Sequence, residues 1–557
     1  MPATSPPSAD LPRPRSGRPL ARGAPSPAVA AALLGLASAL LYLINVGHAP
    51  HPDELYHVLA ARGLLEHGEP RIAEGLYERT LAYTALVAGS IRLFGDTLLA
   101  ARLPSVLAMA ATVALLLLWT RRVADARAGW IAAGLFALSP FAIEIAQFTR
   151  FYALQTLAFL AGATLLYRAF ADLARPALVP LAAGLVCFAA AAYLQTTTLI
   201  GGVGIALWLA LRSAPGIAHA LAGGGPARGL ALASAALAVG LAGLWLAWTT
   251  GVAGALWTEY RSVPLFNASR ANDFWYYHLI YTAYYPSLWP AIGLLTLAAA
   301  SRFPGPAFFC ATVFATGFLL NSFAAPKSAR YIVYAQPFLF ALLGMGLAAV
   351  IGPLAAGLRR AAGSAAAATG LPARASRALA AALVVGSLGV LAVGNAFLLR
   401  SAMLLGDVAT PFGPGPIDWA AAAPELEPLI ERADVVLAQS ELEMLYYYGD
   451  YDVLLSASRL GENEGAVDFD DDFRTGRPVI GSAEGLARLL DCRPNGLLVT
   501  SVERWENPDL IDAASVELVL ERTTPVELDP GTGVLAFRWS EAGDAGAADC
   551  AGLPELG

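Results

Sequence analysis

The sequence predicts an α-helical polytopic membrane protein of about eleven transmembrane helices, followed by a C-terminal soluble α/β domain. Three observations lead there. Of 557 residues, 57% are hydrophobic and only 14% charged, where a soluble chain carries about 25% charged residues. Apolar runs of about 20 residues, enough to cross a ~30 Å hydrocarbon core, recur through the first 400 positions. The net charge of −7 is also unevenly divided. Residues 1–400 hold 27 Lys+Arg against 13 Asp+Glu, whereas residues 401–557 hold 9 against 30. A tail domain this acidic argues against nucleic-acid binding.

The elements follow in order. Residues 1–26, rich in Pro, Arg and Ser, read as a disordered arm. The apolar run after it is too long for a signal sequence and reads as a retained first span. A first external loop occupies 48–97. Further spans are predicted at 98–119, 128–145, 152–170, 177–195, 198–212, 229–250, 285–301, 304–324, 331–352 and 377–399, completing a membrane unit over 27–400. Arginine clusters at 13–22, 121–127, 168–175 and 359–377 all fall on the N-terminal side of this arrangement. The N-terminus is therefore expected in the cytoplasm of a plasma (inner) membrane and the C-terminal domain outside it.

Beyond 401, ADVVLAQS, GLLVTSV and VELVLER read as strands, while APELEPLIERA and AEGLARLL have helical spacing. DFDDDF (468–473) lacks the glycine and the spaced glutamate of a calcium loop and reads as a solvated acidic loop. Cys187 and Cys310 lie in apolar runs and read as core residues. Cys492 and Cys550 could pair if the tail is external, which the sequence leaves open. Asn267-Ala268-Ser269 has the pattern of a glycosylation acceptor and is informative only in a host that glycosylates.

Several constellations could carry chemistry. HAPHPDELYHV (48–58) sets Asp53 and Glu54 among His48, His51 and His57 at the external mouth of span one. The acids could cap a helix that begins at Pro52, or Asp53 could take a proton from an attacking hydroxyl. A divalent metal held by His51, Asp53 and His57 is a third reading, weakened by a spacing that is not i,i+4. Lys327, the sole lysine of the chain, stands with Arg330 and Tyr331 before a late span. It could anchor at the interface, or the two cations could hold a lipid phosphate. Glu78 and Arg79 form another acid–base pair in the first loop, where half-buried helices on the membrane surface are expected. Arg150 and Tyr152 mark the junction of spans three and four. Glu144, just inside, lies within helical reach of Arg150 as an ion-pair partner.

Together these motifs resemble the GT-C class of membrane glycosyltransferases, in the branch of protein O-mannosyltransferases and aminoarabinose transferases. The resemblance rests on DELYHVLAARGLLEHG after span one, LYERTLAY in the first loop, LFGDTLLAARLPS entering span two, and KSARYIVYAQP before a late span. It is clearest over 50–160 and returns at 326–340. It implies an inverting transfer of a hexose or pentose from a polyprenyl-phosphate carrier to a glycan, lipid or protein acceptor on the external face. It casts Asp53 as the catalytic carboxylate with Glu54 beside it, and Lys327, Arg330 and Arg79 at the donor phosphate. Glu78, Tyr331, Arg150, Tyr152 and His57 follow as further site candidates; no nucleotide donor is needed, and the divalent-metal reading stays open. RFYALQ (150–155) departs from the aminoarabinose enzymes and is closer to bacterial family-39-like proteins, so the acceptor stays open. The alternative function is a flippase or assembly platform for lipid-linked saccharides, although the internal symmetry of many transporters is not evident.

Overall fold

The computed structural model describes residues 26–173, 176–223, 251–262, 271–369, 396–406, 417–462, 467–508 and 510–540, with isolated positions at 245, 248–249, 372, 374–375, 378, 381–382, 550 and 553. The N-terminal arm, most of the spans expected at 229–250 and 377–399, and the Asn267-Ala268-Ser269 acceptor lie outside the described residues.

The membrane part is a helical bundle. Helix α1 (Pro27–Tyr42) leads to α2 (Pro52–His67), a short hairpin of β1 (Arg71–Ile72) and β2 (Gly75–Leu76), and α3 (Leu81–Phe94). There follow α4 (Leu98–Val123), α5 (Ala126–Ala137), α6 (Pro140–Ala146), α7 (Tyr152–Ala169), α8 (Leu178–Leu194) and α9 (Thr198–Gly223). After these come α10 (Val252–Arg261), α11 (Tyr276–Tyr284), α12 (Ile292–Arg302), α13 (Pro304–Phe323), α14 (Gln336–Thr369) and α15 (Ala396–Leu405). Helix α4 is central and packs on α1, α5 and α7, while α14 lies against α5 and α12. Small residues permit close approach: a Cβ added at Gly344 would stand 2.5 Å from the Ala128 carbonyl oxygen, binding α14 tightly to α5.

Among the described residues four helices are long and apolar enough to cross a membrane, or five if the bent α5–α6 pair forms one span. Several expected spans are therefore shorter or broken, for local reasons. The run 128–145 bends by 59°, because Ser139 caps a new helix whose first residue is Pro140. The run 285–301 is helical only from Ile292; Pro286 and Pro290 precede it, and proline interrupts the helical hydrogen-bond ladder. The run 331–352 starts as a 3₁₀ turn (Ala329–Ala335) before α14. Conversely, the run taken as 198–212 continues helical to Gly223.

The C-terminal residues build a seven-stranded sheet of β3 (Val435–Ala438), β4 (Val453–Leu455), β5 (Asp470–Asp471), β6 (Pro478–Ile480), β7 (Gly496–Ser501), β8 (Thr524–Pro525) and β9 (Val534–Trp539), in the order β5-β6-β4-β3-β7-β9-β8. Its centre, β6-β4-β3-β7, is parallel, and the outer pairings are antiparallel. Every residue of β3 and β7 is buried, which is why ADVVLAQS and GLLVTSV read as continuous apolar runs rather than alternating ones. VELVLER is not a strand. It falls in a helix, Ala513–Arg522, whose N-terminus is capped by the Asp512 carboxylate accepting from the Ser515 N–H; the cap outweighs the β-branched composition. DFDDDF is only partly solvated. Asp470 and Asp471 are exposed, but Asp472 is buried and accepts from the Thr475 N–H at 3.0 Å, while Asp468 accepts from the Gly481 N–H at 2.7 Å.

Cys492 and Cys550 are joined by a disulfide that spans 58 residues. In the chain-entropy model a loop of that length is worth about 4 kcal/mol. Reduction is therefore expected to lower the denaturant midpoint of the C-terminal sheet, followed through the fluorescence of Trp505 and Trp539, and Cys550→Ser should reproduce the shift without reductant.

Candidate active site

The site is organised by the first turn of α2. Pro52 occupies its first position, and His51 caps it by accepting the Asp53 N–H on Nδ1 at 3.1 Å. Glu54 completes the capping box by accepting the His51 N–H at 2.9 Å. The helix-capping reading of the sequence is thus realised, but by His51 and Glu54. Asp53 is left to face elsewhere.

Glu54 is also the centre of a buried lock. Arg102 of α4 meets it with two parallel bonds, Nε at 2.8 Å and Nη2 at 2.7 Å, and the Thr149 N–H adds a third at 2.8 Å. With the His51 N–H, the carboxylate accepts four hydrogen bonds, about its full capacity. Arg102 spends its remaining nitrogen on the carbonyls of Val46 and His48. Burial pushes the Glu54 carboxyl up, but Arg102 and the Thr149 N–H more than compensate and hold it at about 2. Loop 46–54 is thereby fixed to α4 and to the turn before α7.

Asp53 differs. Its side chain is 30% exposed and ion-paired with Arg330. Burial raises its carboxyl, yet Arg330, Arg150 and His51 outweigh this and hold it far below the usual carboxylate range. Arg330 lies over the Phe148 and Tyr152 rings, at 5.2 and 6.0 Å. Arg150 Nη1 donates to both the Asp53 carbonyl and the Tyr77 hydroxyl, each at 3.1 Å. Its guanidinium and that of Arg79 lie over the Phe151 ring, at 5.3 and 5.5 Å. Arg79 and Arg330 both act electrostatically on Tyr331, which is half-buried beside them, and Glu78 is exposed. The fold therefore gathers Asp53, Arg330, Arg150, Tyr152, Arg79 and Tyr331 from four separate stretches of sequence.

Two pairings differ from expectation. Glu144 does not meet Arg150, because the helix stops at Ala146 and restarts at Tyr152, so the six-residue offset is not helical. It pairs instead with Arg400 of α15 at 2.7 Å and accepts from the Tyr284 hydroxyl at 3.1 Å. Lys327 is buried, and its ammonium donates to the carbonyls of Asn321 at 3.1 Å, Ser322 at 2.7 Å and Ala324. It closes the C-terminus of α13, where a cation complements the helix dipole.

The histidines do not converge. His57 is buried, with Nδ1 2.9 Å from the Thr84 hydroxyl and its ring edge-on to Tyr77 and Tyr83. Burial, with Arg150 and Arg79 nearby, keeps it neutral. Burial likewise lowers His51 to about 4, and its Nδ1 is occupied as the cap. Asp53 is committed to Arg330. The three donors proposed for a metal thus serve three separate purposes, and no cluster of three such ligands occurs among the described residues.

Sequence reasoning passed over Arg102, Tyr77, Tyr56 and Arg400. Arg102 carried a signal, being the cation that interrupts the apolar run of span two, where a charge requires a partner.

No family model matches the chain, and no curated protein is similar to it at a significant level. Solved structures are similar. ArnT from Cupriavidus metallidurans bound to undecaprenyl phosphate is 16% identical with a TM-score of 0.53, over 91% of this chain and 97% of that one. The archaeal oligosaccharyltransferase AglB from Archaeoglobus fulgidus, in complex with an inhibitory peptide and a dolichol-phosphate, is 12% identical with a TM-score of 0.52, over 91% and 74%. The chain shares their fold, the GT-C architecture expected from its motifs, and is a membrane protein.

Proposed function

We propose that the chain is an integral membrane glycosyltransferase that moves a sugar from a polyprenyl-phosphate donor to an acceptor hydroxyl on the extracytoplasmic face, with inversion. The observation that carries this reading is the partly exposed Asp53 carboxylate beside Arg330 and Arg150, with Arg79 over the same Phe151 ring as Arg150, in a chain with the fold of proteins solved with undecaprenyl phosphate and dolichol-phosphate. An acid next to two cations, with a third nearby, supplies the two charges such a displacement needs. The acceptor oxygen bonds to the anomeric carbon, its proton passes to Asp53, and the bond between that carbon and the phosphate oxygen breaks. The electron pair leaves with the polyprenyl phosphate, whose charge Arg330 and Arg79 stabilise.

Arg330 has two claims on it. While paired with Asp53 it makes that carboxylate a weak base. A donor phosphate competes for the guanidinium and returns basicity to Asp53 when the sugar is in place. Glu54 and Lys327 act in this reading as supports, the one holding Asp53's helix and the other closing α13. The eleven-span arrangement with cytoplasmic N-terminus, a membrane unit over 27–400 and an external domain over 401–557 remains our topology, and the Cys492–Cys550 disulfide supports an oxidising compartment for that domain. With the metal-ligand candidates engaged elsewhere, full donor turnover is expected in EDTA. The reading is tested by giving purified protein undecaprenyl-phosphate-linked radiolabelled sugars: wild type should release undecaprenyl phosphate and Asp53→Asn should not. Equal release by both would sink it.

A further inference from the structure

Helices and a turn of the C-terminal domain reach back onto the helix that carries Asp53. Tyr56, one turn after Asp53 and on the same face of α2, is buried with its hydroxyl in a charged clamp. It accepts from Arg459 and from Arg474 Nη1 at 2.8 Å, and it donates to Glu441 at 3.5 Å. Two lone pairs and one proton are thereby all used. Arg459 is itself held by Glu441 at 2.9 Å. On the other side the Tyr56 ring stacks on Tyr77, with centroids 5.1 Å apart, and Tyr77 is the residue that shares Arg150 with the Asp53 carbonyl.

The contact is broader than one side chain. Leu442 packs with Leu55, Ile72 and Tyr77 in a small apolar cluster. The Glu74 and Gly75 N–H groups both donate to the Thr475 carbonyl at 2.9 Å, so the first-loop hairpin lies against segment 472–477. A Cβ at Gly75 would stand 2.3 Å from the Arg474 carbonyl oxygen, so only glycine allows this approach.

We infer that Tyr56 is a positioning residue for Asp53, and that the C-terminal domain, through Arg459, Arg474 and Glu441, holds Tyr77 and Arg150 in register with Asp53. The inference rests on the transferase reading for its consequence, though not for its geometry. The chain of contacts runs from Arg474 through Tyr56, Tyr77 and Arg150 to Asp53. Each link is a hydrogen bond or a ring stack; with the Glu54 lock still fixing the first turn, loss of the clamp loosens Tyr77 and Arg150 and shifts them against Asp53. Misplacement of a catalytic group by about 1 Å costs up to about 100-fold.

The test uses the full-length protein with undecaprenyl-phosphate-linked mannose, glucose and aminoarabinose as probes. Tyr56→Phe should lower kcat by about tenfold or more, with donor KM within about twofold of wild type. Arg474→Ala should do the same, Arg474→Lys should restore most of the rate, and the Tyr56→Phe/Arg474→Ala pair should be no worse than either alone. A purely structural role would instead lower the melting midpoint and leave kcat per folded molecule unchanged, and that result overturns the inference. Should Tyr56→Phe not fold, the Arg474 pair decides alone. Should wild type turn over no donor, the transferase reading falls by itself. Hydrogen exchange of the peptide covering 50–60 then judges the clamp: Arg474→Ala must accelerate it about tenfold, and unchanged exchange rejects the coupling.

Discussion

Asp53→Asn is expected to lower sugar transfer by about 10²- to 10⁴-fold, the usual contribution of a positioned general base, while leaving the protein folded. The amide matches the carboxylate in shape but cannot take the acceptor proton. Folding should survive because Asp53 is partly exposed and takes no part in the four-bond lock around Glu54. The pH dependence makes the expectation sharper. Burial raises the Asp53 carboxyl, but Arg330, Arg150 and His51 together hold it far down in the free enzyme. No acid limb from Asp53 should therefore appear in kcat/KM between about pH 5 and 8, since that parameter reports the free enzyme. If the donor phosphate draws Arg330 away, the limb in kcat shifts up toward the ordinary carboxylate range near 4. Rates of purified wild type and variant from about pH 3.5 to 8, with subsaturating donor for kcat/KM and saturating donor for kcat, check both statements.

Arg102→Ala is expected to destabilise the protein by about 3–5 kcal/mol, the cost of leaving one member of a buried ion pair without its partner. Both side chains of the pair are essentially inaccessible, at 0% and 1% exposed. The loop from Val46 to Glu54 would also lose the guanidinium that gathers its carbonyls. Glu54 is held at about 2 against an ordinary 4.5. A depressed carboxyl contributes stability above its unfolded value and loses it on acidification. Wild type should accordingly lose about 3 kcal/mol as pH falls from about 4.5 to about 2, at 1.36 kcal/mol per unit. Arg102→Ala should lack that acid-sensitive component, because its contribution is already absent at neutral pH. Thermal or denaturant unfolding in detergent at several pH values reads both effects. Glu54→Gln should resemble Arg102→Ala in stability and not Asp53→Asn in chemistry, which separates the two adjacent acids.

The contrast between those acids shows where sequence reading reached its limit. DELYHV carried the pair, and local rules rightly predicted a helix starting at Pro52. Nothing local states which acid turns inward, since that depends on Arg102, 48 residues away. The partnership of Asp53 with Arg330 was half legible: the sequence put both on the external face but gave Arg330 to the donor phosphate, since only the fold brings it onto Asp53. Lys327 has a local physical explanation. A lone lysine does mark a specific demand, but the demand came from the unpaired carbonyls at the end of α13. VELVLER was read by composition and folded by its cap. The clamp on Tyr56 left no trace in the sequence, because its arginines lie 403 and 418 residues downstream and single arginines in an acidic tail resemble solvating charges.

Covalent transfer from a lipid-linked donor is read by following the label itself. Purified wild-type protein in vesicles is given an undecaprenyl-phosphate sugar carrying a radiolabel, together with an extract of membrane glycolipids and glycans as acceptors. Label should leave the lipid, undecaprenyl phosphate should accumulate in equal amount, and the product should carry the opposite anomeric configuration. Label that crosses the vesicle bilayer while still attached to its lipid, with no undecaprenyl phosphate formed, would contradict it and identify a flippase.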